Sequence, residues 1–389
     1  MHKIKADLWF DRDEYCSRIS KVQKNINKRK LDALLVFFPE NVTWSTGFYT
    51  RGYSSFQFVI IPASGEPFLI CRDVEEFYIK KTFSFSGYSL WCDSDDKDKF
   101  ASSIIQKIVG KNASIAIEEM AWPLSVNRYM NIKRALKGYR WEDGSHIISE
   151  LRLIKSESEI KYQKKAAIAA EMGMKAAHEC ALVGASEREM AANVCSAMIL
   201  NGSDRAGPGV LSSGERAMYL HGGYTDRIFK KGDKIQLETT PHVRNYHARF
   251  MRPIVVESCN QKDLRFVESI ITIQDNALKE VKPGVSAKIP DKVYRDGILS
   301  LDKNIRYTNK TFYSIGLLIE PSGGEPLEAH PKADWRFKEN MTFHTYLLVN
   351  GFGMSETIRI TSKGYERITK FPRKLLIGCL LYTSPSPRD

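Results

Sequence analysis

The first 150 residues alternate between helical and strand-like patterns of apolar positions. Residues 12–30 are polar with apolar residues at helical spacing, and the mostly apolar segment 31–38, predicted as a buried strand, is closed by Pro39. Two further apolar runs flank the turn 63–66, which is typical of a hairpin. The pattern therefore predicts an α/β domain with a mixed sheet. The predicted elements are helices at 12–30, 97–110 and 123–136 and strands at 31–38, 56–61, 67–71 and 114–118.

A different pattern follows a linker-like stretch at 141–150. Ser156 with Glu159, and Ser186 with Glu189, are capping boxes that predict the starts of two helices. The first helix is predicted to run to about Leu182 and the second to end near 201–202. The remaining predicted elements are strands at 234–240, 246–250, 252–257, 312–319, 341–349 and 353–360 and helices at 262–282 and 288–300.

These patterns predict two domains, at 1–150 and 151–377. The last twelve residues, 378–389, continue neither pattern and look like translated adapter sequence. We therefore exclude this non-native-looking tail from the fold prediction and expect the natural terminus near Ile377.

Composition is ordinary for a soluble globular protein, with 43% apolar and 27% charged residues in a chain of 389. No apolar run approaches a membrane span, and the first residues lack the apolar core of a secretory signal. Seven scattered cysteines without a C-x-x-C pair fit a reducing compartment. We therefore expect a cytoplasmic protein that binds no membrane.

The formal charge of +12 does not by itself predict a nucleic-acid partner. Basic residues are spread along the chain and interleaved with acidic ones, as in 155–161, so no basic stripe or tail is present. We expect a small-molecule substrate and no nucleic acid.

Distinctive motifs stand at 231–238, at Tyr246-His247 and Arg252, and at 155–160, 314–316 and 341–343. Together these motifs resemble those of the creatinase/methionine-aminopeptidase ("pita-bread") superfamily. The resemblance spans nearly the whole chain up to residue 377. It implies an α/β N-terminal domain of the creatinase/prolidase type, an α+β pita-bread catalytic domain, and a homodimer.

Peptidases of this superfamily hold two metal ions with two aspartates, one histidine and two glutamates. The residues at those positions in this chain are, in order, Glu238, Arg249, Tyr313, Tyr346 and Glu356. A dinuclear site needs several converging anionic or imidazole ligands, and an arginine adds positive charge instead. The resemblance therefore implies no catalytic metal, and we expect no other cofactor.

Within the superfamily the chain most resembles ectoine hydrolase, a metal-independent member. The similar segments are 211–214 leading to His221, 313–316 leading to Gly324-Glu325, 341–344, 355–361 and 372–376. The resemblance implies hydrolysis of a cyclic amidine, with ectoine opened to N-acetyl-diaminobutyrate. Creatine fits less well, because the catalytic glutamates of creatinase would fall on Met251 and Tyr346.

The resemblance also implies roles for individual residues. His221 occupies the position of a proton-shuttling histidine, and two carboxylates are expected to hold the amidinium in place of the metal ions. Arg249 or a neighbouring arginine is expected to bind the substrate carboxylate. The predicted catalytic residues are His221, Glu238 and Glu356, and the predicted substrate-binding residues are His247, Arg249, Tyr313 and His344.

Simpler interpretations of the same residues remain open from the sequence. Glu238 lies on the strand face opposite Ile235 and Leu237, which is also compatible with a solvent-facing position. His344 fits a hydrogen-bonded core histidine, and Tyr313 fits a core aromatic residue. The alternative functions are hydrolysis of another C–N compound, Xaa-Pro peptidase or creatinase-like activity, and a catalytically inactive binding module.

Overall fold

The chain divides into two compact units between Arg152 and Leu153. The computed structural model describes residues 7–205, 207 and 209–378. The predicted domain boundary after Glu150 falls two residues before this division. The predicted tail, 378–389, lies outside the described residues except for Gly378. Among the described residues, no helix combines the length and apolar character that a membrane crossing requires.

The first unit is built on one six-stranded sheet. Its helices are α1 (Arg12–Lys28), α2 (Pro39–Thr46), α3 (Glu76–Thr82), α4 (Lys97–Val109), α5 (Val126–Ala135) and α6 (Ser145–Arg152). Its strands are β1 (Ala33–Val36), β2 (Phe58–Pro62), β3 (Phe68–Arg72), β4 (Gly87–Trp91), β5 (Ser114–Ile117) and β6 (Arg140–Asp143). The strand order is β4-β3-β2-β1-β5-β6, with antiparallel β1–β2 and β2–β3 pairs and parallel pairs elsewhere.

This arrangement confirms the predicted α/β unit with a mixed sheet. Two local predictions were wrong. Pro39 begins α2 rather than closing a strand, because a proline at the first helical position loses no hydrogen bond that the helix would need. The stretch 141–150 is not a linker but supplies part of β6 and most of α6, where Ile147 and Ile148 are buried.

The described residues of the second unit form three sheets and four α-helices. Its helices are α7 (Glu157–Glu179), α8 (Glu187–Leu200), α9 (Gln261–Lys279) and α10 (Lys288–Leu301). Its strands are β7 (Leu211–Ser213), β8 (Lys234–Thr239), β9 (His242–Val243), β10 (Tyr246–His247), β11 (Phe250–Met251), β12 (Ile254–Val255), β13 (Phe312–Ser314), β14 (Glu328–Ala329), β15 (Thr342–Val349), β16 (Phe352–Ile360), β17 (Tyr365–Arg367) and β18 (Leu376–Ile377). The strand orders are β11-β8-β12-β18 with β7 on β8, β14-β13-β15-β16-β17, and the pair β9–β10.

Both predicted capping boxes are present at the starts of α7 and α8. The Ser156 hydroxyl accepts from the Glu159 backbone N–H at 3.2 Å, while the Glu159 carboxylate accepts from the Ser156 N–H at 2.8 Å. Ser186 and Glu189 make the same reciprocal pair. These bonds satisfy N–H groups that a helix start otherwise leaves unpaired, so each helix begins where the sequence predicts.

The two larger sheets of this unit meet where β11 approaches β16. The Thr357 hydroxyl donates to the Arg249 carbonyl at 2.8 Å and accepts from the Arg249 N–H at 2.8 Å. Arg249 immediately precedes β11, which pairs Met251 with Glu238 of β8. This junction brings the end of β8 close to β13 and β15, and the candidate site lies there.

Candidate active site

A cavity of about 700 Å³ opens in the second unit at this junction. Four of the predicted catalytic and substrate-binding residues line this cavity. Tyr346, which stands at one of the superfamily's metal-ligand positions, also lines it. The lining residues are Gly209, Val210, Leu220, His221, Glu238, Thr240, Arg249, Asn309, Lys310, Tyr313, Gly323, Gly324, Glu325, Glu328 and Tyr346. A cavity of this size holds a small metabolite rather than a long peptide.

Glu238 is a buried carboxylate in the lining, only 7% exposed. Its Oε1 makes no hydrogen bond within the described part of the chain, and it lies 4.0 Å from Nη1 of Arg249. Burial raises the pKa of Glu238, while interactions with Arg249, His221 and the Tyr313 hydroxyl act in the opposite direction. A buried, unsatisfied carboxylate oxygen beside a cavity is expected to bind a ligand cation or hydrogen-bond donor.

Arg249 brings a buried positive charge to the same wall. Its Nη1 donates to the Gly323 carbonyl at 3.0 Å and to the Tyr313 hydroxyl at 3.3 Å. Burial opposes its charge, but Tyr313 and Glu238 outweigh that effect and raise the pKa of the guanidinium. Arg249 therefore stays charged and can bind an anionic group of a ligand.

His344 lies directly behind Tyr313 and is not part of the lining. Its Nδ1 is 2.7 Å from the Tyr313 hydroxyl and its Nε2 is 2.7 Å from the Ser355 hydroxyl. Burial, followed by the charges of Arg249 and Lys310, holds the pKa of His344 well below its usual value. A neutral imidazole with both nitrogens occupied orients the Tyr313 hydroxyl rather than binding a ligand itself.

His221 is exposed and reaches the cavity from the turn after the short helix 214–218. The carboxylate of Glu187 holds this segment, because it accepts from Arg216 at 2.8 Å and from the Thr225 N–H at 2.7 Å. Burial alone would raise the pKa of Glu187, but hydrogen bonds from Ser213, Thr225 and Arg216 outweigh it and lower the pKa. The anion therefore fixes both ends of the turn that carries His221.

Strand β8 holds the same turn from its other side. Gln236 is buried, and its amide is oriented so that the nitrogen donates to the carbonyls of Ala217 and Tyr219, each at 2.8 Å. Gly209 allows its segment to pass close to β8, because an added Cβ at this position would lie 2.1 Å from the Glu238 carbonyl oxygen. Residues of β8 that face away from the apolar core thus support the cavity instead of facing bulk water.

The structure does not bring Glu356 to the cavity. Its side chain is fully buried, with Oε1 accepting from Arg252 Nη2 at 2.9 Å and Oε2 accepting from the Thr369 hydroxyl at 2.5 Å. Arg373 Nε lies 3.3 Å from the same carboxylate. These partners point Glu356 into the core between β16 and the segment 369–373, where its role is to hold the fold.

His247 also lies apart from the lining. Its ring is 4.8 Å from that of His242, and its Nε2 is 3.3 Å from the Leu318 carbonyl. Burial, with the charges of Arg249 and His242, holds the pKa of His247 well below its usual value. Its backbone N–H donates to the Gly316 carbonyl, so it connects the hairpin to the loop after β13.

The five residues at the metal-ligand positions do not fit a dinuclear metal site. The Arg249 guanidinium sits beside Glu238, and Glu356 is already bound by Arg252 and Thr369. Across residues 7–205, 207 and 209–378, no group of three or more His, Cys, Asp or Glu side chains is arranged to hold a metal ion. Tyr313 and Tyr346 contribute phenols whose pKa values burial raises further, which makes them poorer ligands.

Sequence patterns did not single out several lining residues. Lys310 forms an ion pair with Glu328, and its Nζ lies 4.8 Å from the centre of the Tyr313 ring. Glu325 forms a buried ion pair with Lys155, at 2.5 Å. Glu325 and Lys155 were within segments that resemble the superfamily, whereas nothing in the sequence distinguishes Lys310 or Glu328 from surface residues.

Comparisons with known proteins agree with this geometry at the level of the fold. Residues 161–362 match the model of metallopeptidase family M24, and residues 18–154 match the creatinase/prolidase N-terminal domain. An Xaa-Pro dipeptidase from Pyrococcus horikoshii is 26% identical over 92% of this chain and 98% of its own length. The ectoine hydrolase of Halomonas elongata is 24% identical over 96% of this chain and the whole of its own. The solved prolidase of Pyrococcus horikoshii is 24% identical and superposes with a TM-score of 0.81, covering 92% of this chain and 99% of its own.

Proposed function

Since the chain belongs to metallopeptidase family M24 but its cavity presents an arginine where that family places a metal ligand, we propose that it is a metal-independent hydrolase of a small cyclic amidine, with ectoine as the substrate that its residues fit. The observation that carries this proposal is the carboxylate of Glu238, a residue that lines the cavity and whose buried Oε1 makes no hydrogen bond among the described residues.

The pair formed by Glu238 and Arg249 favours a compact zwitterion. Their charged atoms are 4.0 Å apart in a low-dielectric wall, so a ligand with a cation and an anion close together satisfies both at once. Ectoine carries an amidinium next to a carboxylate-bearing carbon. Its amidinium N–H would donate to Glu238, and its carboxylate would accept from Arg249.

An amidinium carbon is already electrophilic, so the reaction needs positioning and proton transfer. A water oxygen adds to that carbon while His221 takes the water proton, which gives a tetrahedral intermediate. His221 then gives this proton to the ring nitrogen and the C–N bond breaks. As the hydroxyl of the intermediate becomes the acetyl carbonyl, its proton passes to the departing amine, which leaves N-acetyl-diaminobutyrate with an ammonium group. An imidazole suits both transfers because its unperturbed pKa is about 6.5. Tyr313, held by His344, fixes the position of Arg249 from behind.

Relatives named Xaa-Pro dipeptidase make peptide hydrolysis an alternative function. Peptide hydrolysis at this position of the fold would require the missing metal ligands, so we place it second to amidine hydrolysis. The cavity lining of this chain also retains His221 and Glu238 together, which argues against an inactive binding module.

The test is incubation of the purified protein with ectoine, followed by proton NMR for the ring-opened product. We expect turnover by the wild type, and loss of about 100-fold or more of kcat/KM in Glu238→Gln, which keeps the shape and removes the charge. Glu320→Gln, a change of an exposed carboxylate outside the lining, is the matched control. Equal turnover by Glu238→Gln and wild type would exclude the assigned role of Glu238.

A further inference from the structure

The protein satisfies only one end of the Arg249 guanidinium. Nη1 donates to the Gly323 carbonyl at 3.0 Å and to the Tyr313 hydroxyl at 3.3 Å, which uses both of its N–H groups. Nε is buried and makes no hydrogen bond among the described residues, and none of those residues accepts from Nη2. The donors on the edge formed by Nε and Nη2 are therefore unused by the described part of the chain.

These unused donors belong to a side chain that borders the cavity. Arg249 is part of the lining and its side chain is 15% exposed, so little bulk solvent reaches it. A buried N–H group without a hydrogen bond costs free energy, and a charged one costs more than a neutral one. We therefore expect ligand oxygens in the cavity to supply the acceptors.

Nη1 is held by two acceptors that the fold fixes. The Tyr313 hydroxyl lies 2.7 Å from Nδ1 of His344, whose Nε2 lies 2.7 Å from the Ser355 hydroxyl. At Gly324 an added Cβ would lie 3.0 Å from Cδ2 of Tyr313, so the loop that supplies the Gly323 carbonyl packs on that ring. The plane of the guanidinium is therefore set before a ligand binds, which lowers the cost of ordering it.

The lining contains another basic side chain, and it matches an anion less well. Lys310 forms an ion pair with Glu328, and its side chain is 40% exposed, so solvent screens its charge. Its ammonium is a point charge, whereas a guanidinium edge presents two parallel N–H groups in one plane. Two parallel N–H groups match the two oxygens of a carboxylate. Arg249 is therefore the lining residue that fits a planar anion.

We propose that Arg249 makes the cavity specific for a planar carboxylate, with Nε and Nη2 donating to its two oxygens while Nη1 stays on its protein anchors. The inference rests on the proposed function, because the carboxylate is that of the substrate. A positive charge alone would accept any anion. The fixed edge also rejects a carboxamide, because the amide NH₂ would meet an N–H donor instead of offering it an acceptor.

The test measures binding of L-proline and L-prolinamide at neutral pH. Both carry the same ring cation and differ only in having a carboxylate or a carboxamide, and neither has an amidine carbon, so turnover does not enter. The variants are Arg249→Lys, which keeps the charge and removes the planar edge, and Tyr313→Phe, which removes one anchor of Nη1 and serves if the lysine variant fails to fold. Arg336→Lys makes the same chemical change on an exposed arginine outside the lining and is the control. Ligand-detected NMR titration gives both dissociation constants.

We expect the wild type and Arg336→Lys to bind proline more tightly than prolinamide by the same ratio. In Arg249→Lys that ratio should fall about tenfold or more, because one of the two charge-assisted hydrogen bonds is lost, and it should also fall in Tyr313→Phe. An unchanged ratio in a folded Arg249→Lys protein, or in Tyr313→Phe where the lysine variant does not fold, would overturn the proposal, as would equal binding of the two ligands by the wild type. A wild type with the expected preference that leaves ectoine intact would contradict the proposed substrate and leave the carboxylate site in place.

Discussion

Nη1 of Arg249 lies 4.0 Å from Oε1 of Glu238 on the wall of the cavity. In the M24 peptidases these two positions are expected to hold acidic ligands of metal ions, so the arginine replaces an anion with a cation. The pair leaves a positive and a negative charge side by side, too far apart for a hydrogen bond and close enough for one small zwitterion. The selectivity that we propose for the site follows from this pair.

Replacing Arg249 with methionine should weaken zwitterions selectively. We expect the KM for ectoine to rise about 10- to 100-fold, because hydrogen bonds to charged groups contribute ~1.5–3 kcal/mol. Acetamidinium has no carboxylate, so its dissociation constant, measured at alkaline pH, should not rise in the Arg249 variant. Steady-state kinetics and NMR titration measure the two quantities, with Arg336→Lys, an exposed arginine outside the lining, as control. Equal weakening of both ligands would contradict a carboxylate-binding role.

Cation binding should strengthen as pH rises through the pKa of Glu238. Burial places that pKa above the usual 4.5, and only the ionised carboxylate attracts an amidinium. Below this pKa the dissociation constant of acetamidinium should therefore rise roughly tenfold per pH unit, and above it the constant should level off. Titrations across the acidic range test this dependence. Glu238→Gln should bind weakly at every pH, and a wild-type profile in that variant would assign the titration to another group.

Replacing Glu356 with glutamine should affect stability more than substrate binding. The fully buried Arg252 would lose its carboxylate, and an uncompensated buried charge costs about 3–5 kcal/mol. Urea unfolding should show a lower midpoint, and the double variant with Arg252→Met should recover part of the loss. Strong loss of kcat in a Glu356→Gln protein of normal stability would instead indicate that Glu356 is a catalytic residue.

His344 should make the protein less stable in mildly acidic solution. Its pKa is held well below 6.5 in the folded state, so the unfolded chain binds a proton that the native chain does not as pH falls below about 6.5. Stability is then lost with falling pH from that point toward the folded pKa. In His344→Gln this slope should decrease by up to ~1.4 kcal/mol per pH unit. Urea unfolding at several pH values measures this slope, and an unchanged slope would show that folding does not lower the pKa of His344.

The fold could be predicted from local patterns wherever one element had a clear signal. The capping boxes at Ser156 and Ser186 place two helix starts correctly, because each satisfies backbone groups with residues three positions apart. The helix at Pro39 and the elements between 140 and 152 were missed. Their short apolar runs are equally compatible with strand, helix and loop until tertiary packing decides.

Only some of the site residues could be predicted from the sequence, and the reason is physical. His221, Glu238 and Arg249 were placed at the cavity from single positions in superfamily motifs. The direction of a buried side chain depends on its partners, and Arg252 and Thr369 turn Glu356 away in a manner that no local pattern encodes. The buried ion pair of Glu325 with Lys155 joins residues 170 positions apart, so no local pattern predicts it.

We propose that this M24 protein opens a cyclic amidine without a metal ion. The most direct measurement is ectoine turnover, followed by NMR, on protein that has been dialysed against a strong chelator and checked by elemental analysis. We expect N-acetyl-diaminobutyrate to form at the same rate before and after this treatment, and added manganese, cobalt or zinc not to increase that rate. Ectoine left intact, or activity lost with the chelator and restored by one of these metals, would contradict this proposal.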